Sequence, residues 1–120
     1  MFAYQKLDVW QIAKRFIIKV YKTTDKFPSS ERYGLISQIT RAAVSIASNL
    51  AEGNSRSSNK ERVHFAEIAY GSLMEVACQL EISSELGFLE KKVWEELCVD
   101  IQALDKNITA LRRYYKKNRQ

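Results

Sequence analysis

The residues from Leu35 to Gly53, LISQITRAAVSIASNLAEG, constrain the fold more than any other stretch of the chain. On a helix advancing about 100° per residue, Leu35, Ile39, Ala42, Ile46 and Leu50 line up as an apolar stripe. Gln38, Arg41, Ser45, Asn49 and Glu52 form a polar stripe roughly 120° away. Thr40, Val44, Ala47 and Ala51, all small, fill the third side. A surface helix keeps one side for water and fills it with Lys and Glu. This stretch has no lysine at all. It therefore reads as a helix buried on most of its circumference, inside a helical bundle and against a further subunit.

The rest of the chain supplies the other helices. Trp10, Ala13, Ile17 and Val20 recur at helical spacing and predict a first helix over 7–23. Phe27-Pro28 stops it, because the residue before proline avoids the α region. Ser29 or Ser30 can cap a second helix over 30–52, or the helix starts anew near Leu35, after Gly34. Gly53 stands where a left-handed C-terminal residue belongs, and Ser57, Ser58 or Asn59 can cap the next helix. A third helix over 59–86 carries two apolar strips, Val63-Ala66-Tyr70-Leu73-Ala77-Leu80 and Phe65-Ala69-Val76, which predict two packing partners. Gly71 lies mid-helix, where glycine costs about 1 kcal/mol relative to alanine, so a neighbouring helix is expected to approach it closely. Gly87 closes this helix. Trp94, Leu97, Ile101, Leu104, Ile108, Leu111 and Tyr115 then give the cleanest heptad of the chain, over 91–116. A single proline and four glycines in 120 residues agree with long helices and a single domain over 1–120.

Little chemistry is visible. His64 has Glu61 and Glu67 three residues to either side, which is half of a di-iron constellation. The other half needs a second histidine, and the chain has one. Cys78 and Cys98 lack CxxC spacing and read as buried thiols of a reducing compartment. Gly53-Asn54-Ser55-Arg56-Ser57-Ser58 could cradle a phosphate, but without a P-loop lysine it reads as a capping loop. No catalytic residue, cofactor or metal is expected, and the chain reads as a cytoplasmic non-enzyme.

Charge is the remaining signal. The net charge is +5, and its spread is uneven. Residues 1–30 hold six Lys/Arg against two acids, residues 59–90 two against six, and residues 91–120 eight against four. Lys14 and Lys22 on the first helix, with Arg112, Arg113, Lys116, Lys117 and Arg119 at the chain's end, are candidates to neutralise RNA or DNA phosphates. The same terminal cations also complement a helix dipole without any ligand. Arg41 is expected to be buried and to meet a carboxylate, with Glu75 the first choice and Glu52 or an adjacent chain the others.

One set of residues carries a resemblance. Phe27-Pro28, Glu31, Tyr33-Gly34-Leu35, Gln38, Arg41-Ala42, Ser45-Ile46, Ser48-Asn49 and Ala51-Glu52-Gly53, continued by Phe65, Ala69, Gly71-Ser72-Leu73 and Glu75, resemble the four helix bundle protein family, also called 23S ribosomal RNA intervening-sequence proteins. The resemblance implies an up-down-up-down antiparallel four-helix bundle that assembles as a homopentamer. Some members look like products of reading frames inside ribosomal RNA genes. A related branch is the accessory protein of diversity-generating retroelements, a basic pentameric barrel that binds nucleic acid and a reverse transcriptase. No catalytic residues come with the family.

Together these readings predict an all-α bundle closing into a ring, five-fold by the resemblance, with Gln38, Arg41, Ser45, Asn49 and Glu52 at the subunit contact. The alternative function is a structural oligomer or protein adaptor whose basic charge serves solubility.

Overall fold

The computed structural model describes residues 1–118. Four helices follow one another: α1 (Asp8–Thr24), α2 (Leu35–Asn54), α3 (Asn59–Glu85) and α4 (Lys91–Lys117), with short 3-10 turns at Ala3–Lys6 and Ser29–Glu31. No strand occurs among the described residues. Each helix packs on its two neighbours in a closed cycle, so the bundle runs up-down-up-down, 48 Å long and 23 Å across. No helix of the described residues is long and apolar enough to cross a membrane.

The core draws on all four helices. Phe16, Ile39, Ile46, Leu73, Leu80, Leu104 and Ile108 are fully buried. Trp10 is half-buried, with Tyr4 edge-on at 4.7 Å between ring centroids. The heptad of α4 faces inward as expected: Leu97, Ile101, Leu104, Ile108 and Tyr115 are buried, and Trp94 and Leu111 half-buried. Both apolar strips of α3 are used, against α2 and α4.

The ends follow local chemistry. Ser58 caps α3 by accepting the Glu61 N–H at 3.2 Å. At the other end, Gly87 takes φ +81°, its N–H bonds the Ser84 carbonyl and the Phe88 N–H bonds that of Ser83. That is a Schellman closure, and it seats Phe88 5.7 Å from the buried Phe27 ring. The second helix starts at Leu35 rather than at residue 30. Gly34 lies outside the helical region at φ −110°, ψ −112°, and the Glu31 carboxylate accepts the Leu35 N–H at 3.3 Å.

Two glycines correct the sequence reading. Gly53 does not end α2 in a left-handed turn, because the helix continues to Asn54 and Gly53 is buried within it. A Cβ there would lie 2.9 Å from the Phe65 Cβ, so the residue is glycine to let α2 meet the start of α3. Gly71, expected to do that job, faces outward with nothing within 4 Å of a Cβ. Gly53→Ala should therefore destabilise the chain by about 1–3 kcal/mol through overpacking, whereas Gly71→Ala should be neutral or stabilising by up to about 1 kcal/mol. Urea unfolding of both variants measures the contrast, and equal midpoints would refute the packing role of Gly53.

Candidate functional site

Two surfaces emerge from the candidate residues. The first is the polar side of α2. Ser45 and Ser72 share a hydrogen bond of 2.8 Å, and the Asn49 amide donates to the Ser45 carbonyl and hydroxyl at 2.8 and 3.0 Å. Two turns away, the Gln79 amide donates to Gln38 Oε1 at 3.0 Å, while Gln79 Oε1 is buried without a partner among the described residues. Gln38, Ser45 and Asn49 thus form a seam between α2 and α3 inside one chain. Glu52 turns to the α2–α3 loop and pairs with Arg56 at 2.6 Å.

Arg41 departs from expectation. It is exposed, not buried, and among the described residues it makes no ion pair with Glu75, which is itself exposed. The reason is angular: Arg41 points between the seam and Val44, away from the core. With Val44 and Ser48, also exposed, it forms an outward strip on which it is the one cation.

The second surface is the end of the bundle where α4 finishes. Arg113, Lys116 and Lys117 are exposed there, and Arg112 lies half-buried over the Tyr70 ring at 5.2 Å. Lys116 reaches Glu67 at 4.0 Å. The Asn59 amide donates to the Asn118 carbonyl at 2.8 Å and ties this end of α4 to the first turn of α3. That contact adds Lys60 and Arg62, which sequence reasoning missed; Asn59 was visible only as a capping residue. Arg119 lies outside the described residues. Lys22 does not join this cluster. Lys14 sits over the Trp10 ring at 5.4 Å, and Lys22 lines a groove with Phe88, Leu89 and Val93 at the opposite end of the bundle.

His64 is exposed beside Phe65, and among the described residues no group of three or more His, Cys, Asp or Glu side chains is placed to hold a metal. Cys98 is half-buried and Cys78 exposed, both as free thiols, so the expected burial of Cys78 is not found. Burial pushes the Cys98 thiol up, with Glu81 and Glu95 adding to the shift.

The 23S rRNA-intervening sequence protein profile matches residues 5–110. The chain belongs to that family. No curated protein sequence matches it. Among solved structures, one of a protein of unknown function from the S23 ribosomal protein family of Bacteroides thetaiotaomicron is similar. The TM-score is 0.78 at 18% identity, covering 88% of this chain and 95% of that one, which is a likeness of fold.

Tyr115 anchors the basic end. Its ring is 7% exposed, and burial pushes the phenol above its ordinary value of 10.0, with the charge of Arg62 opposing the shift. The folded chain keeps this proton after the unfolded chain has lost it, so stability falls as the pH rises past about 10. Tyr115→Phe should flatten that alkaline decline, read as unfolding midpoints between pH 8 and pH 11; an unchanged slope would count against it.

Proposed function

We propose that this chain is a non-enzymatic assembly module: copies of it close into a ring, and the basic end of the ring contacts RNA or DNA. The observation that carries the nucleic-acid half is the joining of Arg113, Lys116 and Lys117 to Lys60 and Arg62 through the Asn59–Asn118 contact. These cations come from two helices and gather at one end. The start of α3 lies among them and adds its dipole in the same sense. Cations on such a surface release counterions when phosphates replace them. Binding would then weaken steeply with salt, by a slope of roughly −0.7 per phosphate contacted on a single strand. Changing Arg113, Lys116 and Lys117 to Gln should flatten the slope for a single-stranded RNA by about 2. Fluorescence anisotropy across a salt series reads it. An unaltered slope would move the site elsewhere, and no binding by the wild type at low salt would favour the adaptor reading.

The assembly half is supported by the outward strip of α2. Val44 is 40% exposed, and Arg41 stands on the strip without a carboxylate partner among the described residues. A neighbouring subunit would cover these residues and supply the missing anion. The family resemblance supports five subunits. Arg41→Ala should weaken the ring. Light scattering decides: a wild-type mass of one chain at micromolar concentration ends the ring reading.

A further inference from the structure

The charges of this chain are sorted by helix. Between Val9 and Thr24, α1 holds Lys14, Arg15, Lys19 and Lys22 and no acid. Between Val63 and Glu90 the chain holds Glu67, Glu75, Glu81, Glu85 and Glu90 and no lysine or arginine. α1 and α3 each pack on α2 and α4, so they occupy non-adjacent corners and present their outward faces on different sides of the bundle. Among the described residues, Lys14, Arg15 and Lys22 form no ion pair, and neither do Glu75, Glu81 and Glu85. All six are exposed.

Both faces also carry uncovered apolar surface. On α1, Ile18 is 48% and Tyr21 49% exposed, set among the cations. On α3, Ile82 is 46% and Leu86 56% exposed, and they line a shallow groove with Cys78, Glu81 and Glu85.

The two faces lie at the same height along the bundle. Arg112 over Tyr70 and Lys116 beside Glu67 set the register of α4 against α3. Counting back along two antiparallel helices of equal rise puts Asp100 level with roughly residue 83. Lys19 bonds Asp100, so Arg15 to Lys22 stand level with the groove between Cys78 and Leu86.

We infer that the outward face of α1 in one copy docks on the outward face of α3 in the next, with Arg15 and Lys22 against Glu81 and Glu85 and Ile18 entering the groove beside Ile82. The occupant is a second copy because the same chain offers both halves, matched in charge, apolar content and height. A two-fold dimer cannot use both contacts, since the halves lie on different sides of the bundle. The contact is head-to-tail; copies related by rotation about an axis parallel to the helices keep the heights matched, and the inclination of the two faces to one another sets the number that closes the ring. This inference rests on the ring reading and names the surfaces that form it. α2, lying between the two faces, then borders every contact.

Charge reversal tests it. Arg15→Glu with Lys22→Glu puts acid against acid, and Glu81→Lys with Glu85→Lys puts base against base. Either pair should raise the concentration for half-assembly at least about tenfold, read by light scattering at low salt, because like charges facing one another are penalised. All four changes in one chain restore opposite charges and should restore most of the assembly. Circular dichroism confirms that each variant remains helical. An assembled wild type whose mass neither reversal alters would overturn the inference and leave the ring reading standing. So would a fourfold variant no better assembled than the pairs, or an Arg15→Glu/Lys22→Glu variant that loses RNA affinity and keeps its mass. A monomeric wild type would instead remove the ring reading itself.

Discussion

The close contact of α2 with α3 is what the rest of the bundle depends on. It exists because the facing positions are small. Ala42 on α2 and Ala69 and Ser72 on α3 are buried, and Gly53 has no room for a side chain beside Phe65. With little side-chain bulk between them, these helices come near enough for the short hydroxyls of Ser45 and Ser72 to bond directly. The Gln38–Gln79 bond marks a second rung of the same seam. Register in an all-apolar helix pair is weakly specified, since one turn of slip exchanges one aliphatic contact for another. Two polar rungs remove that freedom, because a slipped pair would leave hydroxyls and amides buried without partners. Fixing α2 on α3 fixes where Gly53 ends its approach, and so where the loop delivers Ser58 to cap α3.

The fold was largely legible because period and punctuation agreed. The heptad of α4, Phe27-Pro28 and the Gly87 closure each act locally, and each appears where the pattern placed it. The failures have a common cause: they concern which neighbour a residue meets. Gly53 and Gly71 are the same residue type in helical surroundings, and nothing local says that one faces Phe65 and the other solvent. The sequence pattern places Arg41 in the interior because its stripe also holds Gln38 and Ser45. Those two sit at the edge of the α3 contact, and a further 40–60° of rotation carries Arg41 out of it. A stripe drawn at every third or fourth residue is too broad to separate seam from surface.

The candidate nucleic-acid site shows the same limit in another form. Counting cations along the chain groups Lys14 and Lys22 with the terminal cluster, because charge counts ignore the axis of the bundle. The structure separates Lys22 from it, since α1 ends where α4 begins. It gathers instead Lys60 and Arg62, remote in sequence from the terminus and joined to it by one amide bond. What composition could foretell was the sorting of charge into basic and acidic segments. What it could not foretell was that α1 and α3 stand at non-adjacent corners, so that each face lacks a counterpart in its own chain.

That separation also sets how salt acts on the two proposed roles. Cations at the end of α4 and cations on the flank of α1 are exposed alike, and the screening length is about 8 Å at physiological ionic strength. Under the proposed roles salt would therefore weaken phosphate binding at the end and charge pairing at the flank together. The apolar side chains differ. Ile18, Tyr21, Ile82 and Leu86 belong to the flank alone, and salt does not weaken their burial. A contact built from both kinds of group keeps part of its strength where a purely ionic one fades. On the proposed reading the assembly would outlast nucleic-acid binding as salt rises, with the ring as the scaffold and the strand as its exchangeable part.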